Sequence, residues 1–327
     1  MTLLDFLKKL LPGLRGSGRA CEGGAGGSLP GSSAPADQTM QKKKLEGFDW
    51  KFYVGFYPDL KRTGVNSRRR AIRHWLQFGW AEGRIGGLRH QSFRDNLQIL
   101  DDYLKRAGPC AAEAEAALAG RRAPLVNILT RSNRRPRFFQ DNRISVVGQT
   151  YKRFRQLVSY ENDETLKYLR AQGLPENDLI RVVRQQTEAS HPYNLFVNDL
   201  MDQVAEGWIL FLDDDDLFTT PHALSIIAAH LNDENSLVIW RAWFPDKIVP
   251  ATRDIHQISP GGITSCCFAF HSKHRKNAQW HEFKAGDYRC FEQLRQFLQP
   301  VFLDDILVKV NYTDCGAGWG EARDKQP

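Results

Sequence analysis

The run Gly207-Trp208-Ile209-Leu210-Phe211-Leu212-Asp213-Asp214-Asp215-Asp216 decides how this chain is read. Unbroken apolar residues of this length predict a strand buried on both faces of a sheet. Four carboxylates at the end of such a strand repel one another and are not buried unpaired. Something positive must sit beside them, and a hard divalent cation with oxygen ligands is the usual answer. The plainer alternative is a solvated acidic turn before a helix, for which Thr220-Pro221 supplies N-cap and N1 residues. That accounts for one aspartate more easily than for four behind a buried strand.

Upstream, strands and helices alternate. Leu125 to Thr130 reads as a strand, Arg131-Ser132-Asn133-Arg134-Arg135-Pro136 as its loop, and the next stretch, with Phe138, Phe139, Ile144 and Val147, as a helix. Gln156–Tyr160 is a second strand, ending in Glu161-Asn162-Asp163-Glu164. Helix 166–172, strand 179–183 and helix 192–206 follow, so the acid-ended strand is the fourth. The alternation implies an α/β fold, a mostly parallel sheet flanked by helices, whose ligand edge lies at the strands' carboxyl ends. Downstream, 237–240 reads as a strand, 261–270 as a glycine-opened strand, 285–299 as a helix and 316–320 as a mobile loop.

The amino-terminal third has a different composition. Residues 16–38 are Gly-, Ser-, Ala- and Pro-rich and read as a flexible linker. Before it, Leu3, Leu7, Leu10, Leu11 and Leu14 share a helical face beside Lys8, Lys9 and Arg15, which reads either as a peripheral membrane helix or as a plain tail. Residues 48–87 form an aromatic-rich unit with helical spacing, read as a small core ringed by solvated arginines rather than a nucleic-acid platform. The expected organisation is a tail over 1–45, a helical module with connecting helix over 46–122, and the main domain over 123–327. Composition is that of an ordinary globular protein, 42% hydrophobic and 25% charged. No apolar run reaches the roughly 20 residues of a membrane span, and no cleavage pattern follows Met1. Six cysteines without a CxxC pair suit reduced thiols and a cytoplasmic setting, with membrane association left open. The net charge of +7 suits an anionic partner without choosing among them.

The order of parts carries a resemblance. Thr130-Arg131-Ser132-Asn133-Arg134, the turn Gln149-Thr150-Tyr151, a second strand ending near Asp163 and Phe211-Leu212-Asp213-x-Asp215-Asp216 together resemble a family 2 glycosyltransferase of the GT-A fold, over about residues 124–312. The motifs of 48–87 (F-D-x-x-F-Y, Y-P-D-L, H-W-x-x-x-G-x-x-E-G-R) resemble a helical module that accompanies some polysaccharide glycosyltransferases. The resemblance implies an inverting, metal-dependent transferase moving a sugar from a nucleotide-diphosphate donor to a glycan or lipid-linked acceptor, with no nucleic-acid partner. It places Thr130, Arg131 and Asn133 at the nucleotide, with Asp163 accepting from the base and Glu161 next in line. The D-x-D pair maps on Asp213, at the ribose or donor sugar and the metal, and Asp215 at the metal, Mn²⁺ or Mg²⁺. Asp214, also assigned to the donor, and Asp216 are the register alternatives. Asp287 is the best match to the catalytic base, and an ordinary helix N-cap is its alternative. The family's usual Asp-Asp-Gly-Ser form is absent after the second strand.

Two other classes compete. A haloacid-dehalogenase-type phosphatase also follows an apolar strand with D-x-D, but there the motif closes the first strand, and here three precede it. An inactive nucleotide-sugar or glycan-binding scaffold would share the fold, and the retention of Asp213, Asp215 and Asp287 argues against it.

Overall fold

The computed structural model describes residues 41–310 except 43, 58–59, 61, 81–83, 85, 88–90, 184–190 and 246. The expected amino-terminal helix, the linker and the loop at 316–320 lie outside the described residues. The chain divides into two compact units, Met1–Arg94 and Asp95–Pro327, so the division falls inside the long helix that was expected to connect them.

In the first unit, helix α1 (Trp50–Phe56) and helix α2 (Arg68–His74), which continues as a π turn over Trp75–Gly79, enclose a core of Tyr53, Val54, Leu60, Ala71 and Trp75. Phe48 stacks on Trp75 with ring centroids 5.2 Å apart, and Tyr53 meets Trp75 edge-on at 5.4 Å. The polar tips are satisfied: Trp75 Nε1 donates to the Lys44 carbonyl (2.7 Å), and the Tyr53 hydroxyl bonds His74 Nδ1 (3.0 Å). Helix α3 (Gln91–Leu118) leads into the second unit.

Among the described residues the second unit is built on nine strands: β1 (Val126–Arg131), β2 (Phe154–Tyr160), β3 (Leu179–Arg181), β4 (Trp208–Phe211), β5 (Asp216–Phe218), β6 (Ser236–Trp243), β7 (Ile248–Val249), β8 (Phe268–His271) and β9 (Gln299–Val310). Their order is β3-β2-β1-β4-β8-β6-β9-β5, with β7 on β6. From β3 to β4 every pairing is parallel. Beyond β4 the sheet is mixed, since β8 runs antiparallel to β4 and β6, β9 parallel to β6, and β5 antiparallel to β9. Purely parallel pairing thus ends at β4, and beyond it only β6 with β9 resumes it. The helices are α4 (Pro136–Val147), α5 (Asp163–Ala171), α6 (Phe196–Asp202), α7 (Ala223–Ala229) and α8 (Gly286–Leu294). All seven residues of α7 are buried, as a helix apolar all round requires. The strand expected over 261–270 is shorter: Gly261 takes φ +82°, Ser265–Cys267 forms a 3₁₀ turn, and only Phe268 onward pairs.

Strand β4 is buried along its whole length between β1 and β8. Its entry depends on Gly207, whose φ is +89° and whose added Cβ would lie 2.6 Å from the Leu125 carbonyl oxygen. Gly207→Ala is therefore expected to destabilise the domain by about 2–3 kcal/mol, combining a left-handed backbone with a clash against a neighbouring backbone. Urea unfolding checks this, and an unchanged midpoint would refute the requirement.

Candidate active site

The carboxyl ends of β1, β2 and β4 meet at one cleft, lined by Arg131, Ser132, Asn133, Arg135, Tyr160, Glu161, Tyr193, Asp213 and Asp215 among others. The aspartates turn tightly after β4, with Asp216 N–H donating to the Asp213 carbonyl (2.9 Å). Asn142 on α4 holds that turn from beneath, donating to the carbonyls of Asp213 (3.0 Å) and Asp216 (2.8 Å). Gln156 of β2 donates to Asn142 Oδ1 (2.9 Å) and to Thr130 Oγ1 (3.0 Å). Thr130 is fully buried in this network, so it braces the strand ends and does not line the cleft.

The positive partners of the carboxylates are two arginines from the loop after β1. Arg131 grips Asp213 with two bonds, Nε to Oδ1 at 2.9 Å and Nη2 to Oδ2. Its third nitrogen donates to Asn194 Oδ1 (3.3 Å), and its guanidinium lies 5.3 Å from the Trp280 ring and 5.9 Å from that of Tyr193. Arg135, immediately before α4, pairs with Asp214 and donates Nη1 to Asp215 Oδ2 at 2.8 Å. Ser132 Oγ completes Asp214 at 2.7 Å. Burial pushes Asp213 up, but the Arg131 charge outweighs it and holds the carboxyl below its ordinary range. Burial lifts Asp214 to about 7 against the pull of Arg135. Asp216 is raised well above the ordinary value by burial and by the neighbouring Asp215 and Asp213 charges.

This arrangement tests the metal expectation directly. Both oxygens of Asp213 are held by Arg131 and those of Asp214 by Ser132 and Arg135, so neither presents a free ligand. Among the described residues no three His, Cys, Asp or Glu side chains group to hold an ion. Asp215 differs: Arg135 takes one oxygen, and the other has no bond among the described residues. Mg²⁺ and Mn²⁺ beside phosphates commonly need only one or two carboxylates, with phosphate oxygens and water completing the shell. The residues thus fit an ion carried in with a diphosphate, on Asp215, and not a preformed cage on Asp213 and Asp215. His271 pairs in register with Trp208, at the far end of β4 from the aspartates, and lies 3.7 Å from Glu234.

The remaining expected residues divide. Asn133 lines the cleft and donates to Glu161 Oε2 at 2.8 Å, while Asn162 donates to Asn133 Oδ1 at 2.9 Å. Asp163 stands outside, as the first residue of α5 with its side chain 82% exposed, 3.4 Å from Arg181. The helix begins one residue too early for Asp163 to face the cleft, and Glu161 takes that position. Asp287 is the second residue of α8 and accepts from the Tyr288 N–H (2.8 Å). Burial raises its carboxyl above the ordinary range, while the charge of Arg131 pulls it down and that of Asp213 pushes it up, so all three groups share one neighbourhood.

What the sequence reading missed is the set that holds these parts together. Arg135 was indistinguishable from a solvated basic turn, although its place before Pro136 at a helix start was a signal. Asn194 accepts from Arg131 and donates to the carbonyls of His281 (3.1 Å) and Phe283 (2.9 Å), on the segment leading into α8. Asn198 of α6 exchanges two 2.9 Å bonds with the Trp280 backbone. Gly286 lies against Asn194, where a Cβ would come within 2.7 Å of Nδ2. These residues tie the loop before Asp287 to the arginine that grips Asp213.

Fold and site define a mixed α/β protein with an arginine-neutralised acidic cluster at the carboxyl edge of its parallel strands. No family model matches the chain, and no curated protein matches it. Among solved structures, TarS of S. aureus, residues 1–349, aligns with a TM-score of 0.46 at 14% identity, covering 57% of this chain and 60% of that one. A longer TarS structure gives 0.44 at 14%, covering 57% and 36%. The mannosyltransferase PcManGT from Pyrobaculum calidifontis, in complex with GDP-Man and Mn²⁺, gives 0.44 at 12%, covering 67% and 68%. The chain thus spans between about a third and three fifths of the TarS structures it aligns with.

Proposed function

We propose that the chain is a glycosyltransferase of the GT-A type, moving a sugar with inversion from a nucleotide-diphosphate donor to a hydroxyl acceptor on a glycan or lipid-linked chain. The observation that carries this reading is the meeting of Arg131, Asn133, Glu161, Asp213 and Asp215 in one cleft at the carboxyl edge of β1, β2 and β4, with Asp287 in electrostatic reach. Asn133 and Glu161 take the base, with Glu161 as acceptor in place of Asp163. Asp213, fixed in orientation by Arg131, faces the ribose and donor sugar. The donor diphosphate competes with Asp214 and Asp215 for the Arg135 guanidinium.

Charge explains why a cation suits this site. Two guanidiniums face four carboxyls, so even with Asp216 protonated no positive charge is left over for a diphosphate. Asp215 would hold a divalent ion, which when bound would supply Lewis-acid neutralisation of the departing phosphates. Asp287 accepts the proton of the acceptor hydroxyl as its oxygen bonds to the anomeric carbon. The bond to the diphosphate breaks with its electron pair on the phosphate oxygen.

The test is release of nucleoside diphosphate from a panel of nucleotide sugars with Mn²⁺, measured for the wild type and Asp215→Ala. Hydrolysis that chelator abolishes and the substitution lowers about 10²-fold or more is expected, in line with loss of a charge-stabilising group. Hydrolysis indifferent to both would reject the metal assignment, and none across the panel would favour the binding scaffold.

A further inference from the structure

The positive charge of this chain is not spread over it. Residues 41–87 hold eleven lysines and arginines against four acids, an excess of seven that equals the net charge of all 327 residues. The much longer remainder is balanced. Within this stretch Arg68, Arg69, Arg70 and Arg73 are all exposed on α2. Arg70 is engaged with the Gly64 carbonyl at 2.8 Å, whereas Arg68, Arg69 and Arg73 make no ion pair among the described residues. The same helix continues through its π turn to large exposed rings, Phe78 at 52% and Trp80 at 37% accessible. Arg69 and Arg73 stand four residues apart and so share one side of the helix. The rings are not loose, because Phe78 packs on His74 (5.4 Å) and Trp80 on Trp75 (5.7 Å), at the rim of the aromatic core.

We propose that the amino-terminal unit docks on an anionic lipid surface, with Arg68, Arg69 and Arg73 on the lipid phosphates and Phe78 and Trp80 seated at the interface. Guanidinium matches phosphate in charge and in its forked donor geometry. Aromatic rings gain at the headgroup boundary. A soluble polyanion would satisfy the arginines and leave both rings wet, so the combination favours lipid. Among the described residues no helix is long and apolar enough to cross a membrane. Lipid docking is independent of the transferase reading and is tested without any activity assay.

The experiment is sedimentation of the full chain with phosphatidylcholine vesicles, with and without phosphatidylglycerol, for the wild type and the triple variant R68Q/R69Q/R73Q. A basic residue near an anionic surface is worth about fivefold in affinity, so the triple variant should bind phosphatidylglycerol vesicles about a hundredfold more weakly. The all-lysine triple variant should retain most of the binding, and Phe78→Ser should weaken it with the charge intact. Circular dichroism melts confirm that each variant is folded. Equal binding by wild type and the glutamine variant, or no preference for phosphatidylglycerol, overturns the proposal. So does tighter binding to soluble polyphosphate that ignores Phe78→Ser, which would mark a polyanion site instead.

Discussion

Asp287→Asn is expected to lower turnover on the donor–acceptor pair by about 10²–10⁴-fold while leaving nucleotide affinity near that of the wild type. The range is that of removing a positioned general base. Asparagine keeps the oxygen that accepts from the Tyr288 N–H, so α8 should start as before and the loss should fall on kcat rather than on folding. The pH dependence carries the same assignment. A base works only when unprotonated, and burial holds the Asp287 carboxyl above the ordinary aspartate range. Activity should therefore fall as pH drops through a value higher than that of an exposed aspartate. Replacing Arg131 removes a charge that lowers this value and leaves Asp213, which raises it, uncompensated. In Arg131→Gln the acid limb should thus move to higher pH. A variant that keeps its turnover after Asp287→Asn would leave the reaction without its base.

Arg135→Gln should be the most damaging substitution for the fold itself. It strips the ion partner from Asp214, which is fully buried, and from Asp215 together. Breaking a buried pair by removing one member costs about 3–5 kcal/mol, because the remaining charge is left uncompensated. The deficit should depend on pH in a definite direction. Asp214 is raised to about 7 in the folded state, so the folded chain keeps a proton that the unfolded chain releases from the ordinary value near 3.8 upward. Stability contributed by that proton is lost as pH rises toward 7. Without Arg135 the Asp214 value rises further and the window of loss extends upward. The gap between the urea midpoints of wild type and variant should be narrower near pH 5 and widen toward pH 8. A gap that stays constant over that range would show that Arg135 does not compensate Asp214.

The same two arginines separate what was legible in the sequence from what was not. The α/β alternation was readable because period and length are local properties. Leu125–Thr130, Gln156–Tyr160 and the run ending at Asp213 each announce a buried parallel strand by composition alone. The need for positive charge beside Asp213 to Asp216 was readable too, since four carboxylates repel whatever their surroundings. Which positive charge answers that need was not. Arg131 and Arg135 stand some eighty positions from the aspartates, and only the pairing of β1 with β4 sets the loop after one strand beside the end of the other.

Sequence by itself also could not choose between Asp163 and Glu161. The choice turns on where Asn162 caps α5, accepting from the Thr165 N–H at 2.9 Å, which directs Asp163 to solvent. The mixed half of the sheet beyond β4 escaped for a related reason: its β6–β8, β6–β9 and β5–β9 pairings join strands far apart in the chain. Local pattern therefore determined the first four strands, the acidic edge and the small aromatic unit. Tertiary structure alone decided what neutralises that edge and which side chains face the cleft, because electrostatic partnership falls steeply with distance through space and pays no attention to separation along the chain.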